Sequence, residues 1–340
     1  MKYKYLLIIF LTSSLLLNAC REDEPIVVDQ KKIDEELLQD YFTKHQISPI
    51  HDPDGFYYEI LQENASGQVI GDHEIALVYY KISLLSGKVI EVRVAENSQP
   101  LRFLHSWGGL IPEGINYGIG LMKKGEKFKF YLPSDMAFGN FYAKGIMGRN
   151  EILIAEIELV DIETRTEQTQ WEDDSIKSYL VSHQITNFET LSSGIYKYQI
   201  NSGYGAMPQA GNLVKVAMKR KYLNGKPTHS LNTGDTVDIY IPQGSDDYYP
   251  NVSRATEGLK TGLLNMQLGE QAVVLVPSHL AFGGSLVEVL DNNNKVVGYN
   301  GSIQVFPQKF RDDYVENHLE MQNIYPLTIL QYELRLLQIY

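Results

Sequence analysis

The residue types that most often carry out enzyme chemistry form no recognisable set in this sequence. Eight histidines are present, but none lies in an HExxH pattern, and Cys20 is the single cysteine. We therefore predict neither a metal site nor a cofactor. The DPDG stretch at 52–55 could suggest calcium, although such a stretch by itself more often forms a turn. Any chemistry must use other groups.

The chain contains one octapeptide in two versions: LPSDMAFG ends at Gly139 and VPSHLAFG ends at Gly283. His45 recurs as His183, and Gly87 recurs as Gly225, both at an offset of 138. At an offset of 144, a further set recurs: Gly114, Gly118, Met122, Gly125, Glu126 and Gly139 become Gly258, Gly262, Met266, Gly269, Glu270 and Gly283. These matches indicate two copies of one domain, with six extra residues in the second.

Length and charge agree with a two-domain globular protein. A chain of 340 residues is long for one core, and its net charge of −12 argues against a nucleic-acid partner. We assign 1–19 to a signal peptide, 20–30 to a tether, 31–163 to domain 1 with an N-terminal helix, 164–172 to a linker, and 173–340 to domain 2 with an insert at about 285–323.

Hydrophobic spacing predicts the elements that would position a site. Each copy should open with a short amphipathic helix, whose buried face in the first copy is Ile33, Leu37 and Tyr41. The HEIALVYYKISL stretch alternates like a strand. A short helix should follow in each copy, with buried stripes formed by Ile115, Ile119 and Met122 and by Leu259, Leu263 and Met266. This pattern predicts an α+β fold.

The order of these motifs resembles the FKBP-type prolyl isomerases. The first copy carries VYYKI…SGK, IPEG…G…MKKGE, LPSDMAFG and ILIAEIELVDI, and the second carries EG…G…MQLGE, VPSHLAFG and IYPLTILQYELRLL. The resemblance covers nearly all of the mature chain, once per repeat. It implies two FKBP-like domains, each an antiparallel sheet wrapped on a short helix.

The resemblance also implies a pocket in each copy. In the first copy Tyr80 forms the wall, Glu91 stands near the family's Asp, and the Ile111 N–H would bind substrate. Phe138 stands where the family usually has a Tyr that bonds the ligand. The remaining lining residues are Ile90, Leu101, Leu110, Ile115, Ile146 and Ala155 in the first copy, and Leu259, Phe282, Ile324 and Tyr332 in the second.

Several pocket positions depart from the family. Ile115 replaces the Trp floor, while Ile90, Leu101 and Ala155 each replace a Phe. The second copy also replaces the wall Tyr with Met218, so we expect activity in domain 1 rather than domain 2. Prolyl isomerisation needs no nucleophile, because a dry apolar bowl can favour a twisted amide with less charge separation. The alternative is that these side chains are only the core of a sheet face.

The second copy has a long insertion in the loop that covers the pocket in this family. Seven positions separate Gly139 from Ile146, whereas 41 separate Gly283 from Ile324. We predict a hairpin that turns at 292–294, a short helix over 310–322, and buried apolar groups that include Phe306. The insert should either cap the second pocket or present a surface to a partner.

The amino terminus resembles a bacterial lipoprotein signal. A basic start precedes an apolar run over 5–17 and the sequence LNAC, so the resemblance implies that Cys20 is the lipidated residue. The alternative is an ordinary secretory signal with an incidental cysteine. Arg21, rather than Asp, favours the outer membrane. The acidic REDEP stretch favours the cell surface, but the periplasmic face stays open.

Two main functions follow from these features. One is a lipid-anchored prolyl isomerase that helps envelope or surface proteins fold and acts on proline-containing polypeptide clients. The other is a non-catalytic tandem scaffold subunit of an outer-membrane secretion, gliding or uptake complex, docked through the 285–323 insert. A third interpretation is a general chaperone that holds clients on this insert.

Overall fold

The computed structural model describes residues 29–228, 236–244, 253–290, 296–311, 314 and 324–340. The predicted lipoprotein signal therefore lies outside the described residues, as do the hairpin turn at 292–294 and most of the helix predicted over 310–322. Four α-helices lie within them: α1 (Gln30–His45), α2 (Glu113–Gly120), α3 (Arg165–Ser182) and α4 (Glu257–Leu264). None of the helices in these ranges is long and apolar enough to cross a membrane.

Each copy folds around one mainly antiparallel sheet. The strands of domain 1 are β1 (Ile50–His51), β2 (Tyr57–Gln62), β3 (Glu74–Leu84), β4 (Val89–Arg93), β5 (Leu101–His105), β6 (Leu110–Ile111), β7 (Lys127–Leu132) and β8 (Leu153–Glu163). Those that follow are β9 (Glu189–Thr190), β10 (Tyr196–Asn201), β11 (Leu213–Tyr222), β12 (Thr236–Tyr240), β13 (Ser253–Arg254), β14 (Gln271–Val276), β15 (Leu286–Leu290), β16 (Val296–Gly301), β17 (Gln304–Val305) and β18 (Leu330–Ile339).

The first five strands of the two sheets follow the same order, which confirms the repeat. Domain 1 runs β1-β2-β7-β8-β3-β4, with β5 also paired to β3. Domain 2 runs β9-β10-β14-β18-β11-β12-β13. In each, the short helix α2 or α4 packs its predicted stripe on one sheet face, so that Ile115 and Leu263 are buried. The predicted α+β class is confirmed.

The prediction for the buried face of α1 is wrong. Ile33 and Leu37 are 40% and 47% exposed, and the buried residues are Asp34, Leu38 and Phe42. Packing decides this face, because the Phe42 ring lies edge-on to two tyrosines of the sheet, with ring centroids 5.1 and 5.0 Å away.

The 164–172 linker is largely helical, because α3 begins at Arg165. A capping box between Thr164 and Glu167 starts this helix. Its first half lies against domain 1, where Arg102 makes a two-bond ion pair with Glu163 at 2.9 Å and lies 4.6 Å from the Trp171 ring. Its second half packs beneath the sheet of domain 2. The connection is therefore a helix shared by both domains.

The repeated octapeptide shapes a loop. The buried Asp34 carboxylate accepts the Ser134 N–H at 2.7 Å, and Glu172, its counterpart in the second copy, accepts the Ser278 N–H at 2.9 Å. The Gly139 N–H then donates to the Ser134 carbonyl at 2.7 Å with a φ of +52°, a conformation that favours glycine. The same turn recurs at Gly283, so the motif fixes how the following aromatic loop leaves the sheet.

Candidate active site

The pocket residues predicted in domain 1 come together as one apolar bowl. Tyr80 projects from β3 and is 3% exposed, and Ile115 forms the floor from α2 with no exposure. The other predicted residues of this copy belong to the same cluster or pack against it: Ile90, Leu101, Leu110, Ile111, Phe138, Ile146 and Ala155. These predicted residues therefore share one buried apolar cluster of domain 1, which we call the bowl.

Tyr80 and Glu91 form the polar edge of the bowl. The Tyr80 hydroxyl donates a hydrogen bond to Glu91 Oε1 across the β3–β4 pair. Burial, followed by the nearby Glu91 charge, raises the pKa of Tyr80 well above its usual range. The phenol therefore stays protonated and keeps donating, which fixes the carboxylate at the rim.

A segment of the domain 2 insert lies in this bowl. Its strand β17 pairs in parallel with β6, and the Phe306 N–H donates to the Ile111 carbonyl at 2.8 Å. Phe306 is fully buried, with its ring centroid 4.0 Å from that of Tyr80. Phe310 lies edge-on to Phe138 at 5.3 Å.

The insert was expected to cover the pocket of its own domain or to face a partner. Of the described part of the insert, residues 303–310 instead pack into the apolar cluster of domain 1. The predicted burial of Phe306 is correct, but its location is not. No local sequence signal marks this location, because the chain contains 13 prolines and Phe306–Pro307 is one X-Pro dipeptide among them.

The second bowl is more polar. Leu259, Ile324 and Tyr332 are buried in one cluster, against which Phe282 packs. The buried Arg220 pairs with Tyr332 across β11 and β18, where domain 1 pairs Ile82 with Ala155.

Sequence analysis missed Arg220, although its offset of 138 from Ile82 could have shown it. Its guanidinium lies 5.0 Å from the Phe282 ring centroid. A cavity of about 480 Å³ lies beside Phe282 and reaches Leu104 of domain 1 and Arg165 of α3. The charge within this apolar cluster makes domain 2 the weaker candidate for binding a proline ring.

Comparison with known families agrees with this geometry. The model of the FKBP-type peptidyl-prolyl cis-trans isomerase family matches residues 67–160 and 205–337, which together exceed half of the chain. The chain belongs to this family. The two matched ranges correspond to the two sheets, so the family domain occurs in tandem.

Several relatives and solved structures are similar to parts of this FKBP-family chain. The FKBP-type isomerase FkpA of Buchnera aphidicola is 30% identical over 145 residues, 42% of this chain and 55% of that protein. FK506-binding protein 1A of Neurospora crassa is 35% identical over 109 residues, 32% of this chain and 89% of that protein. The crystal structure of the three FKBP domains of wheat FKBP73 covers 85% of this chain and 96% of its own, at 19% identity and a TM-score of 0.30. The chain spans about half the length of the Buchnera relative.

Proposed function

We propose that domain 1 is a peptidyl-prolyl cis-trans isomerase whose active site is the Tyr80 bowl. The observation that carries this proposal is that the predicted lining residues lie in one apolar cluster, beside a strand edge at β6 that pairs with an extended chain. Family membership supports the same activity. Domain 2 carries a buried arginine in its equivalent cluster and contributes the insert rather than a second full site.

The bowl suits the chemistry of the prolyl bond. Rotation is slow, over about tens to hundreds of seconds, because the planar amide is stabilised by resonance. A dry apolar surface holds the proline ring and solvates the polar planar amide poorly, which favours the twisted state. The β6 edge would orient the peptide backbone, and the Tyr80–Glu91 pair would close one side of the bowl. No proton transfer or covalent step is needed.

The test is a protease-coupled prolyl isomerisation assay on the full-length protein with a Phe-Pro peptide. Because Phe306 and Phe310 occupy the bowl, the assay is run on the wild type and on the double variant Phe306→Ala/Phe310→Ala. In the more active background, Tyr80→Ala should lower kcat/KM by about tenfold or more, because it removes the wall of the bowl. Tyr117→Ala, a change of an exposed tyrosine on α2, is the matched control. Absence of activity in both backgrounds would refute the proposal.

We further propose that Cys20 anchors the protein by lipid to the outer membrane, where the isomerase would assist envelope or surface proteins. This rests on the LNAC motif and the apolar run before it. Labelling of cells with an alkyne fatty acid should mark the wild type and leave Cys20→Ser unlabelled. Equal labelling of both proteins would disprove the anchor.

The scaffold alternative gains no support from the described part of the insert. Residues 302–307 are buried within the chain, most of them against domain 1, so these side chains do not present a surface to an outer-membrane complex.

A further inference from the structure

We infer that residues 303–310 are an intramolecular ligand of the domain 1 bowl, which competes with clients for this site. This inference rests on the proposed function of domain 1 and adds the regulation of its site. We call residues 303–310 the plug.

The plug binds the bowl through its backbone, as a peptide ligand would. The Gln304 N–H donates to the Gly109 carbonyl at 3.1 Å, and the Phe306 N–H donates to the Ile111 carbonyl at 2.8 Å. Gln304 and Val305 thereby extend the short strand β6 in parallel. Addition of an extended strand to an open edge gives affinity through main-chain bonds and leaves selectivity to the side-chain pockets.

The plug side chains match the bowl where its lining is small or lacks a hydroxyl. Ile115 and Ala155 leave room at the base, and the Phe306 ring occupies the bowl against Tyr80, at 4.0 Å between centroids. Phe138 has no hydroxyl, and its ring meets the apolar Phe310 at 5.3 Å. The plug therefore supplies aromatic rings to a bowl whose own lining has aliphatic residues at Ile115 and Ala155.

Polar contacts at the rim set the register of the plug. The Lys309 N–H donates to Glu91 Oε2 at 3.0 Å, and the Lys309 Nζ donates to the Ile90 carbonyl. Arg93 donates to the Gln308 side chain at 2.7 Å. Glu91 therefore bonds both the bowl wall and the plug, so that the residue aligned with the family's acidic position recognises the chain after proline.

The two ends of the plug are held by domain 2. Ser302 Oγ donates to the Gly283 carbonyl at 2.8 Å, and the Arg311 guanidinium donates to the Ile324 carbonyl at 2.5 Å and lies 4.3 Å from the Tyr325 ring. The plug is thus presented to the bowl at a high effective concentration. Because it belongs to neither sheet of seven strands, its release requires no strand of those sheets to unpair.

The test measures access to the bowl with a labelled peptide. A fluorescent copy of the plug, IQVFPQKF, is titrated into the full-length wild type and into Phe306→Ala/Phe310→Ala. We expect the variant to bind it at least about tenfold more tightly, because an occupied site lowers apparent affinity by its free fraction. The peptide IQVGPQKG should bind neither protein. Tyr204→Ala, which removes an aromatic side chain that is 90% exposed, should behave as the wild type.

A second variant tests access to the bowl without removing the buried rings of Phe306 and Phe310. Lys309→Glu changes an exposed side chain and places a carboxylate beside Glu91, so it should also increase peptide affinity, by a smaller factor. Equal affinity of the wild type and both variants would overturn the inference. If the double variant does not fold, equal affinity of the wild type and Lys309→Glu would overturn it.

Isomerase rates from the same proteins separate the two proposals. Tighter peptide binding by the variants with no isomerase activity in any protein would refute the proposed function and leave the plug intact. Equal peptide affinity together with equal isomerase activity in all proteins would refute the plug and leave the function standing.

Discussion

At the residue level, the two copies make equivalent contacts even where the residues that make them differ. The Tyr57 hydroxyl donates to Glu35 at 2.7 Å, and the Tyr196 hydroxyl donates to Asp173 at the same distance. Glu35 and Asp173 occupy equivalent positions of the repeat and differ by one methylene. Each bond ties a helix, α1 or α3, to the sheet beneath it. The geometry survives the exchange because either carboxylate can accept from the phenol.

These tyrosine bonds predict a loss of stability in alkali. Burial, followed by the bond to the carboxylate, raises the pKa of Tyr57 and of Tyr196 to about 12. An unfolded tyrosine titrates near pH 10. The stabilisation is therefore complete below about pH 10 and is lost as the pH rises toward about 12.

We expect the absorbance difference at 295 nm between the wild type and Tyr57→Phe to titrate with a midpoint near 12. Urea denaturation should also show a smaller loss of stability between pH 9 and 11.5 in this variant than in the wild type. A difference titration centred at pH 10 would show that neither the burial of Tyr57 nor its hydrogen bond to Glu35 persists in solution.

At the level of elements, the sequence correctly predicts the strands and helices whose hydrophobic pattern is set by their own sheet. The alternation in β3 places Val78 and Tyr80 in the bowl and Ile75 on the opposite face, as expected. The stripe of α2 is also correct. The α2 helix packs on one sheet face and β3 alternates between the two faces of its sheet, so hydrophobic periodicity alone fixes their orientation.

Elements that pack against more than one part of the molecule were predicted less well. The apolar residues of α1 allow two faces. The choice depends on distant contacts, those of the Phe42 ring with two sheet tyrosines and of the Asp34 carboxylate with Ser134, 100 residues away. The polar stretch at 164–172 has the composition of a linker. It is nevertheless helical, because it packs against domain 1, where Arg102 lies over the Trp171 ring. The pairing of β6 with β17 joins a segment of domain 1 to one of domain 2, which no local pattern encodes.

At the level of the whole molecule, the two copies differ at their equivalent clusters. Domain 1 retains the apolar bowl, whereas domain 2 contains the buried Arg220 and the insert that enters the bowl of its neighbour. Ile303, Val305, Phe306 and Phe310 are residues of domain 2 by sequence, but they belong to the hydrophobic core of domain 1. The cores of the two domains are therefore linked by these side chains as well as by α3.

This shared core predicts that the two domains unfold together. Unfolding of domain 1 would expose the four apolar side chains of the plug, and unfolding of domain 2 would release the residues that hold its two ends. Calorimetry of the wild type should therefore show one transition. In Phe306→Ala/Phe310→Ala the transition should resolve into two, since truncation of two buried phenylalanines removes about 3–5 kcal/mol each from the coupling. Tyr204→Ala should retain the single transition. Two transitions in the wild type, with midpoints that the double substitution leaves unchanged, would show that the domains fold independently and that the plug contributes no coupling between them.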